Sequence, residues 1–288
     1  MNTTWRAALW MVGAIASFSS MAVAGRAASV ELDTFEIMAY RSVVGVVVVW
    51  AFLTWRGRWS DVSTRALGWH GVRNVAHFTG QNLWFYAVTV VPLAQVFALE
   101  FTSPIWVVVL SPLILGERLT RVRLLSVLIG FLGILVVARP SADTLSPGLL
   151  AAAGAAVFFA LSALFTRRLT RTESVAAIMF WLTLMQAVFG LLASAWDGDM
   201  AWPSLDTLPW VVLIGLAGLL AHVCLTSALA IAPATVVVPI DFVRLPTIAV
   251  VGMLVYGEAL DVWVFVGAAV IFAANYLNIW VEARRSAH

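Results

Sequence analysis

The chain has 288 residues, of which 62% are hydrophobic and only 11% charged, with a formal net charge of +2 and a mean hydropathy of +0.97. A soluble domain carries roughly one quarter charged residues, so this composition excludes one and implies a bundle of membrane-spanning helices. All 17 basic residues are arginine, placed mostly in short turns between apolar runs rather than on one face, which excludes a nucleic-acid-binding surface.

Apolar runs of about 20 residues, the length that crosses ~30 Å of hydrocarbon, recur along the chain. Hydropathy and turn residues predict spans near 7–25, 36–55, 67–90, 93–115, 121–138, 147–166, 174–195, 208–231, 235–256 and 262–281. In helix one, Ala22-Val23-Ala24 has the form of a signal-peptidase site. Its removal would leave the first half of the chain one helix short of the second, so it is read as a retained span. Trp10 and Ser17 share a face of this helix. In helix two, Arg41 lies about one and a half turns inside, where its long stem reaches the outer interface, and it is read as structural. Helix three presents Asn74, His77 and Gln81 at i, i+3 and i+7, a polar stripe that lipid would not tolerate, followed by Asn82, Trp84 and Tyr86.

Helix four carries Glu100 and two prolines, Pro104 and Pro112, and ends at Gly116-Glu117-Arg118. Helix six presents Phe158, Phe159 and Ser162, and helix eight His222 and the lone Cys224. A single cysteine excludes an internal disulfide and a thiolate metal site. Helix nine follows Ala232-Pro233, carries Asp241, Arg244, Pro239 and Pro246, and ends at Gly257-Glu258. Prolines remove backbone hydrogen bonds within a span, and Pro104 and Pro246 are assigned as hinges, with plain kinks as the competing reading. Glu117 and Glu258 fit turn capping as well as gating. Gly215, Gly218 and the alanines around Gly154 fit close helix packing.

The halves match without a gap at an offset of 141 residues. It pairs Pro92 with Pro233, Gly13 with Gly154, Phe18 with Phe159, Arg26 with Arg167, Glu100-Phe101 with Asp241-Phe242 and Gly116-Glu117 with Gly257-Glu258. Five spans per half, an odd number, require the halves to enter the membrane in opposite senses. The expected fold is therefore an all-α integral membrane protein, ten transmembrane helices in two inverted five-helix repeats, residues 1–140 and 141–288. With the N-terminus inside, Arg6, Arg56, Arg58, Arg65, Arg73, Arg118, Arg121, Arg123, Arg167, Arg168, Arg171, Arg284 and Arg285 fall on the cytoplasmic side and only Arg26 and Arg139 outside. Both termini are read as cytoplasmic.

Charges within spans are functional candidates because they cost about 2.5–3.5 kcal/mol each on the insertion scale. Asp241 and Arg244, three apart, face the same way. Either they form an internal ion pair, or Arg244 binds an anionic group of a solute while Asp241 or Glu100 takes up a proton or a cationic group. Glu100 and Asp241 are equivalent under the repeat and approach one axis, which suits proton coupling. His77 and His222 read equally as packing residues or as site residues.

Val91-Pro92-Leu93-Ala94, Phe101-Thr102-Ser103-Pro104, Leu115-Gly116-Glu117-Arg118-Leu119-Thr120 and Gly130-Phe131-Leu132-Gly133 follow one another in an order that, with Gly257-Glu258-Ala259-Leu260 in the second half, resembles the EamA-type members of the drug/metabolite transporter superfamily along essentially the whole chain. Glu100, Asp241 and Arg244 stand where such proteins more often carry small or weakly polar residues. The resemblance implies a carrier of small organic metabolites with a central site lined by helices one, three, four, six, eight and nine. It places the chain in a bacterial inner membrane, with substrate and bilayer as partners, monomer and homodimer both open, and neither cofactor nor metal. The expected substrate-binding residues are Trp10, Ser17, His77, Gln81, Trp84, Glu100, Phe159, His222, Asp241 and Arg244. With no ATP-binding motif, transport is expected to run on a gradient through alternating access. A channel or a structural membrane partner is the rival reading. A membrane-embedded enzyme is the more remote one, since the sequence has no nucleophile elbow or zinc motif.

Overall fold

A computed structural model describes residues 3–116, 121–139, 146–196, 198–231 and 240–285. Glu117, Arg118, Pro233 and Pro239, singled out above, lie outside the described residues, as do the side chains of Arg123, Arg284 and Arg285. The described residues form eleven α-helices and no strand: α1 Thr3–Ala28, α2 Thr34–Trp55, α3 Leu67–Val90, α4 Leu93–Glu100, α5 Ser103–Leu115, α6 Arg121–Ala138, α7 Pro147–Leu169, α8 Val175–Ser194, α9 Leu208–Ile231, α10 Arg244–Tyr256 and α11 Val262–Arg285.

Among the described residues, seven stretches are long and apolar enough to cross a membrane: α1, α2, α4 with α5, α7, α8, α9 and α11. Shorter apolar helices lie at Leu124–Ala138 and Arg244–Tyr256. Helix α3 matches them in length but carries Arg73, Asn74, His77 and Gln81, all of them buried. The chain is thus an all-helical, multi-pass membrane protein. Its outward surface is leucine, valine and tryptophan, and Trp5, Trp55, Trp196 and Trp202 stand exposed at or beyond helix ends, where an indole suits the interface.

Local signals set the helix ends. Asp33 caps α2 in a capping box with Glu36. Ser146 and Ser174 cap α7 and α8 by accepting from Leu149 and Ala177 backbone N–H groups. Helices α5 and α10 both end at a glycine in the left-handed region, Gly116 with φ 70° and Gly257 with φ 66°.

Helix four does not run through as one element. The chain breaks at Phe101-Thr102, between α4 and α5. At the equivalent position of the second half, residues 240–241 are helical, Phe242-Val243 form a turn and α10 begins at Arg244. Groups freed at the first break find partners: Thr102 Oγ1 donates to the Leu99 carbonyl at 2.6 Å and Asn275 Nδ2 to the Phe101 carbonyl at 3.0 Å. Pro104 lies in the first turn of α5, and Pro246 in the first turn of α10, where the missing N–H is not needed. Neither interrupts an established helix. Pro112 does, and Ser111 Oγ donates to the Val108 carbonyl that Pro112 strands, at 3.2 Å.

Helices pair chiefly as α1 with α9, α3 with α7, α2 with α8 and α6 with α11, while the half-helices α4 and α10 meet between them. The buried core runs from Met21 and Ala22 through Trp84, Phe85, Phe97 and Phe101 to Ile248 and Ile271. In the α6–α11 seam, a Cβ on Gly133 would lie 2.9 Å from the Gly267 carbonyl oxygen and one on Gly267 2.8 Å from that of Gly133. Backbone rests on backbone there.

Candidate functional site

The two breaks put three charges in one place. Glu100 ends α4, Asp241 precedes the second turn, and Arg244 opens α10, buried at 4% exposure. Arg244 Nη2 lies 3.2 Å from Glu100 Oε1 and 3.3 Å from Asp241 Oδ2. The other Glu100 oxygen accepts a hydrogen bond from Trp84 Nε1 at 2.8 Å. Rings of Phe18, Phe101 and Phe97 lie 4.6, 4.8 and 5.2 Å from the Arg244 guanidinium carbon, within cation–π range. Phe101 stacks on Phe242 at 4.4 Å, and Phe242 meets Phe272 at 4.6 Å. A charged cluster is thereby caged in aromatic faces. Two carboxylates against one guanidinium leave a negative charge over, and Asp241 Oδ1 and Arg244 Nε are buried without hydrogen-bond partners. Leaving such groups unmade costs about 1–3 kcal/mol each, more when charged.

A second polar cluster adjoins it. His77 and His222 face one another at 6.4 Å between ring centroids. Ser162 Oγ is 3.4 Å from His77 Nδ1, and the Phe159 ring is 6.3 Å from the same imidazole. Phe18 joins the clusters, standing edge-on to His222 at 5.9 Å while it underlies Arg244. Arg41 does not snorkel outward: its Nη1 donates to Gln81 Oε1 at 2.7 Å, and it borders a cavity of about 30 Å³ with His77, His222 and Gln186. Arg73, counted above with the cytoplasmic turns, is also drawn into the bundle, donating to Thr166 Oγ1 at 3.1 Å and Asn74 Oδ1 at 3.2 Å.

At one end of the bundle Arg26 ties three segments together. Its Nε and Nη2 donate to the Val88 and Val91 carbonyls at 2.5 and 2.8 Å, its Nη1 pairs with Glu258, and its guanidinium lies over the Tyr256 ring at 4.5 Å. Glu258 also accepts from the Leu93 backbone N–H at 2.9 Å. The glutamate therefore reaches out of its own turn to the other half of the chain. An Arg139–Asp261 ion pair makes a further bridge between the halves.

Of the residues expected from sequence, Trp84, Glu100, Asp241 and Arg244 come together, His77, Gln81, Phe159 and His222 form the adjoining cluster, and Ser17 is buried beside Phe18 in α1. Trp10 is 39% exposed and stands apart from both. Sequence reasoning passed over Phe97 and gave Phe18, Phe101 and Phe242 no role beyond marking the repeat. The available signal was the i, i+4 spacing of Phe97 and Phe101 astride Glu100.

The family model described as EamA-like transporter family matches this chain twice, over residues 5–139 and 146–280. The chain belongs to the EamA-like transporter family. Its two EamA matches begin 141 residues apart, the spacing at which the halves repeat. Among similar proteins are a riboflavin transporter of Vibrio cholerae, 30% identical over 97% of this chain and 94% of that protein, and one of Brucella anthropi, 30% identical over 92% and 95%. An S-adenosylmethionine uptake transporter of Rickettsia bellii is 24% identical over 96% and 94%. A solved crystal structure shares the fold with a TM-score of 0.64 at 21% identity, over 96% of this chain and 98% of that one. This EamA protein is a small-metabolite transporter, and family and relatives alike point away from an enzyme.

Proposed function

We propose that this EamA protein is a proton-coupled secondary carrier of a flat heteroaromatic metabolite of the riboflavin kind, working by alternating access in a bacterial inner membrane. The observation that carries the reading is the Arg244–Glu100–Asp241 cluster inside its cage of Phe18, Phe97, Phe101 and Trp84. Aromatic faces bind a flat ring by stacking, and the charged groups orient its polar edge. A proton on either carboxylate neutralises the cluster, so proton and solute share one set of residues. The names of the relatives in Vibrio and Brucella support the choice of ring.

Ten spans in two inverted repeats, residues 1–140 and 141–288, with both termini cytoplasmic, are the architecture that goes with this mechanism. Two observations support it. The helix pairing is unchanged when the halves are exchanged, since α1–α9 becomes α7–α3 while α2–α8 and α6–α11 map onto themselves. The helix breaks fall at equivalent positions. In this topology Arg26 and Glu258 lie at the outer end, and their contacts hold it shut.

The test is thermal stabilisation of the purified protein across riboflavin, S-adenosylmethionine, amino acids and nucleotides, repeated with Arg244→Ala and Glu100→Gln. Stabilisation by riboflavin that both substitutions abolish is the expected result. A shift that neither alters would remove the cluster from the site. Uptake into proteoliposomes completes the test: saturable accumulation driven by an inward proton gradient, lost in Asp241→Asn, is expected, whereas unsaturable flux would mean a channel and no flux a structural partner.

A further inference from the structure

We infer that Arg41 heads a second subsite, one that takes a carboxylate or phosphate group of the transported molecule. The inference rests on the carrier reading for the molecule to which that group belongs, and not for the charge it recognises. Arg244 has two carboxylates beside it. Arg41 has none within ion-pair distance among the described residues; it meets Gln81 Oε1 at 2.7 Å, Met38 Sδ at 3.5 Å and the Phe85 face at 5.8 Å. All the hydrogen bonds it makes among the described residues leave from Nη1, so Nε and Nη2 retain their donors.

Arg41 borders the cavity between α2, α3, α8 and α9, whose polar wall also includes Ser42, His77, Gln186 and His222. The wall opposite is cut back by glycine: a Cβ on Gly218 would stand 2.7 Å from Arg41 Nη2. A guanidinium inside a membrane protein without a counter-ion calls for an anion, and its planar fork matches the two oxygens of a carboxylate or phosphate. Gln81 holds the fork by one corner and leaves the rest to the ligand.

At about 30 Å³ the cavity exceeds the ~10–15 Å³ that one water requires, so it receives a small head group and not a ring. The ring belongs next door. Phe18 touches both His222, on the cavity wall, and Arg244, in the aromatic cage. The two sites therefore can read the two ends of one solute: a ring between phenylalanines and, on a solute that carries one as riboflavin 5′-phosphate does, an anionic tail at Arg41.

The subsite is tested with plain anions, independently of any ring. The purified full chain is melted in sodium chloride and then, at equal ionic strength, in sodium acetate or sodium phosphate, for wild type, Arg41→Gln and Arg41→Lys. The expected result is a rise in the wild-type melting temperature with one or both anions, absent in Arg41→Gln and reduced in Arg41→Lys; acetate against phosphate tells which group the fork prefers. Equal shifts in wild type and Arg41→Gln, or no shift in the wild type, would overturn the subsite. If Arg41→Gln fails to fold, Gly218→Ala crowds the fork while keeping its charge, and about tenfold weaker anion binding is expected; unchanged binding there counts against the proposal. Riboflavin and riboflavin 5′-phosphate, titrated by flavin fluorescence, form the second arm. Neither flavin binding while the anion shift persists would overturn the ring reading alone, and riboflavin binding with no anion shift would overturn the subsite alone.

Discussion

Trp84 and Arg244 grip the two oxygens of Glu100 from different helices, which fixes in place a carboxylate that the membrane would otherwise expel. Trp84→Phe keeps an aromatic ring against Phe85 and Phe97 but deletes the N–H. A hydrogen bond to a charged group contributes about 1.5–3 kcal/mol, so ligand affinity is expected to fall at least tenfold in a fluorescence titration, with the fold intact by circular dichroism. Outside the membrane, hydrogen bonds from Thr207 and then Ser204 hold the Glu31 carboxyl below its ordinary range. A depressed carboxyl stabilises the folded state above its ordinary pKa, and that contribution disappears as pH falls through the depressed one. Glu31→Gln is therefore expected to flatten that acidic limb of the melting-temperature profile. The charged members of the site were legible in the sequence because an acid or an arginine in an apolar run has few other uses. The phenylalanines were not, since Phe18 or Phe97 in a helix reads the same whether it faces lipid or a cation. Arg41 was misplaced for a related reason: α2 is apolar nearly all round, so its pattern does not say which face meets protein.

Among the elements, the break at Phe101-Thr102 decides the chemistry, because it ends α4 at Glu100 and, with its counterpart, starts α10 at Arg244. Its signal was present in Thr102-Ser103-Pro104, a proline set in the first turn of a new helix. Unbroken hydropathy from Leu93 to Leu115 concealed it, since a turn inside the bundle needs no polar run if neighbouring side chains serve its carbonyls. Asn275 is such a neighbour. Asn275→Leu leaves the Phe101 carbonyl without this donor, and a stability loss of about 0.6–2 kcal/mol is expected from denaturant titration in detergent. The same reasoning applies to Ser111→Ala beside Pro112, which strips the substitute donor from the Val108 carbonyl.

For the whole molecule, the 141-residue repeat predicted which positions correspond but not which helices touch. The crossed pairing, α1 on α9 and α3 on α7, depends on side-chain fit across the halves, and a repeat in one dimension does not encode that fit. The Arg26–Glu258 tie spans this divide. In a Cys224→Ala background, Val23→Cys is expected to react slowly with an impermeant maleimide from outside, and faster once Glu258→Gln is added; an unchanged rate would mean that the tie does not govern access. The α6–α11 seam tells the other side of that story. Where two backbones lie in direct contact, neither helix can slide or turn without driving an atom into a carbonyl, so the seam is a stiff join between the halves, as is the α2–α8 contact where a Cβ on Gly190 would lie 2.6 Å from the Ala39 backbone. Under the alternating access proposed above, movement of one half against the other would pivot at such a join, with the seam as a fulcrum. Gly133→Val would then do more than loosen packing: by prising the fulcrum apart it would uncouple opening at one end from closure at the other, leaving a protein that binds its solute yet cannot carry it across.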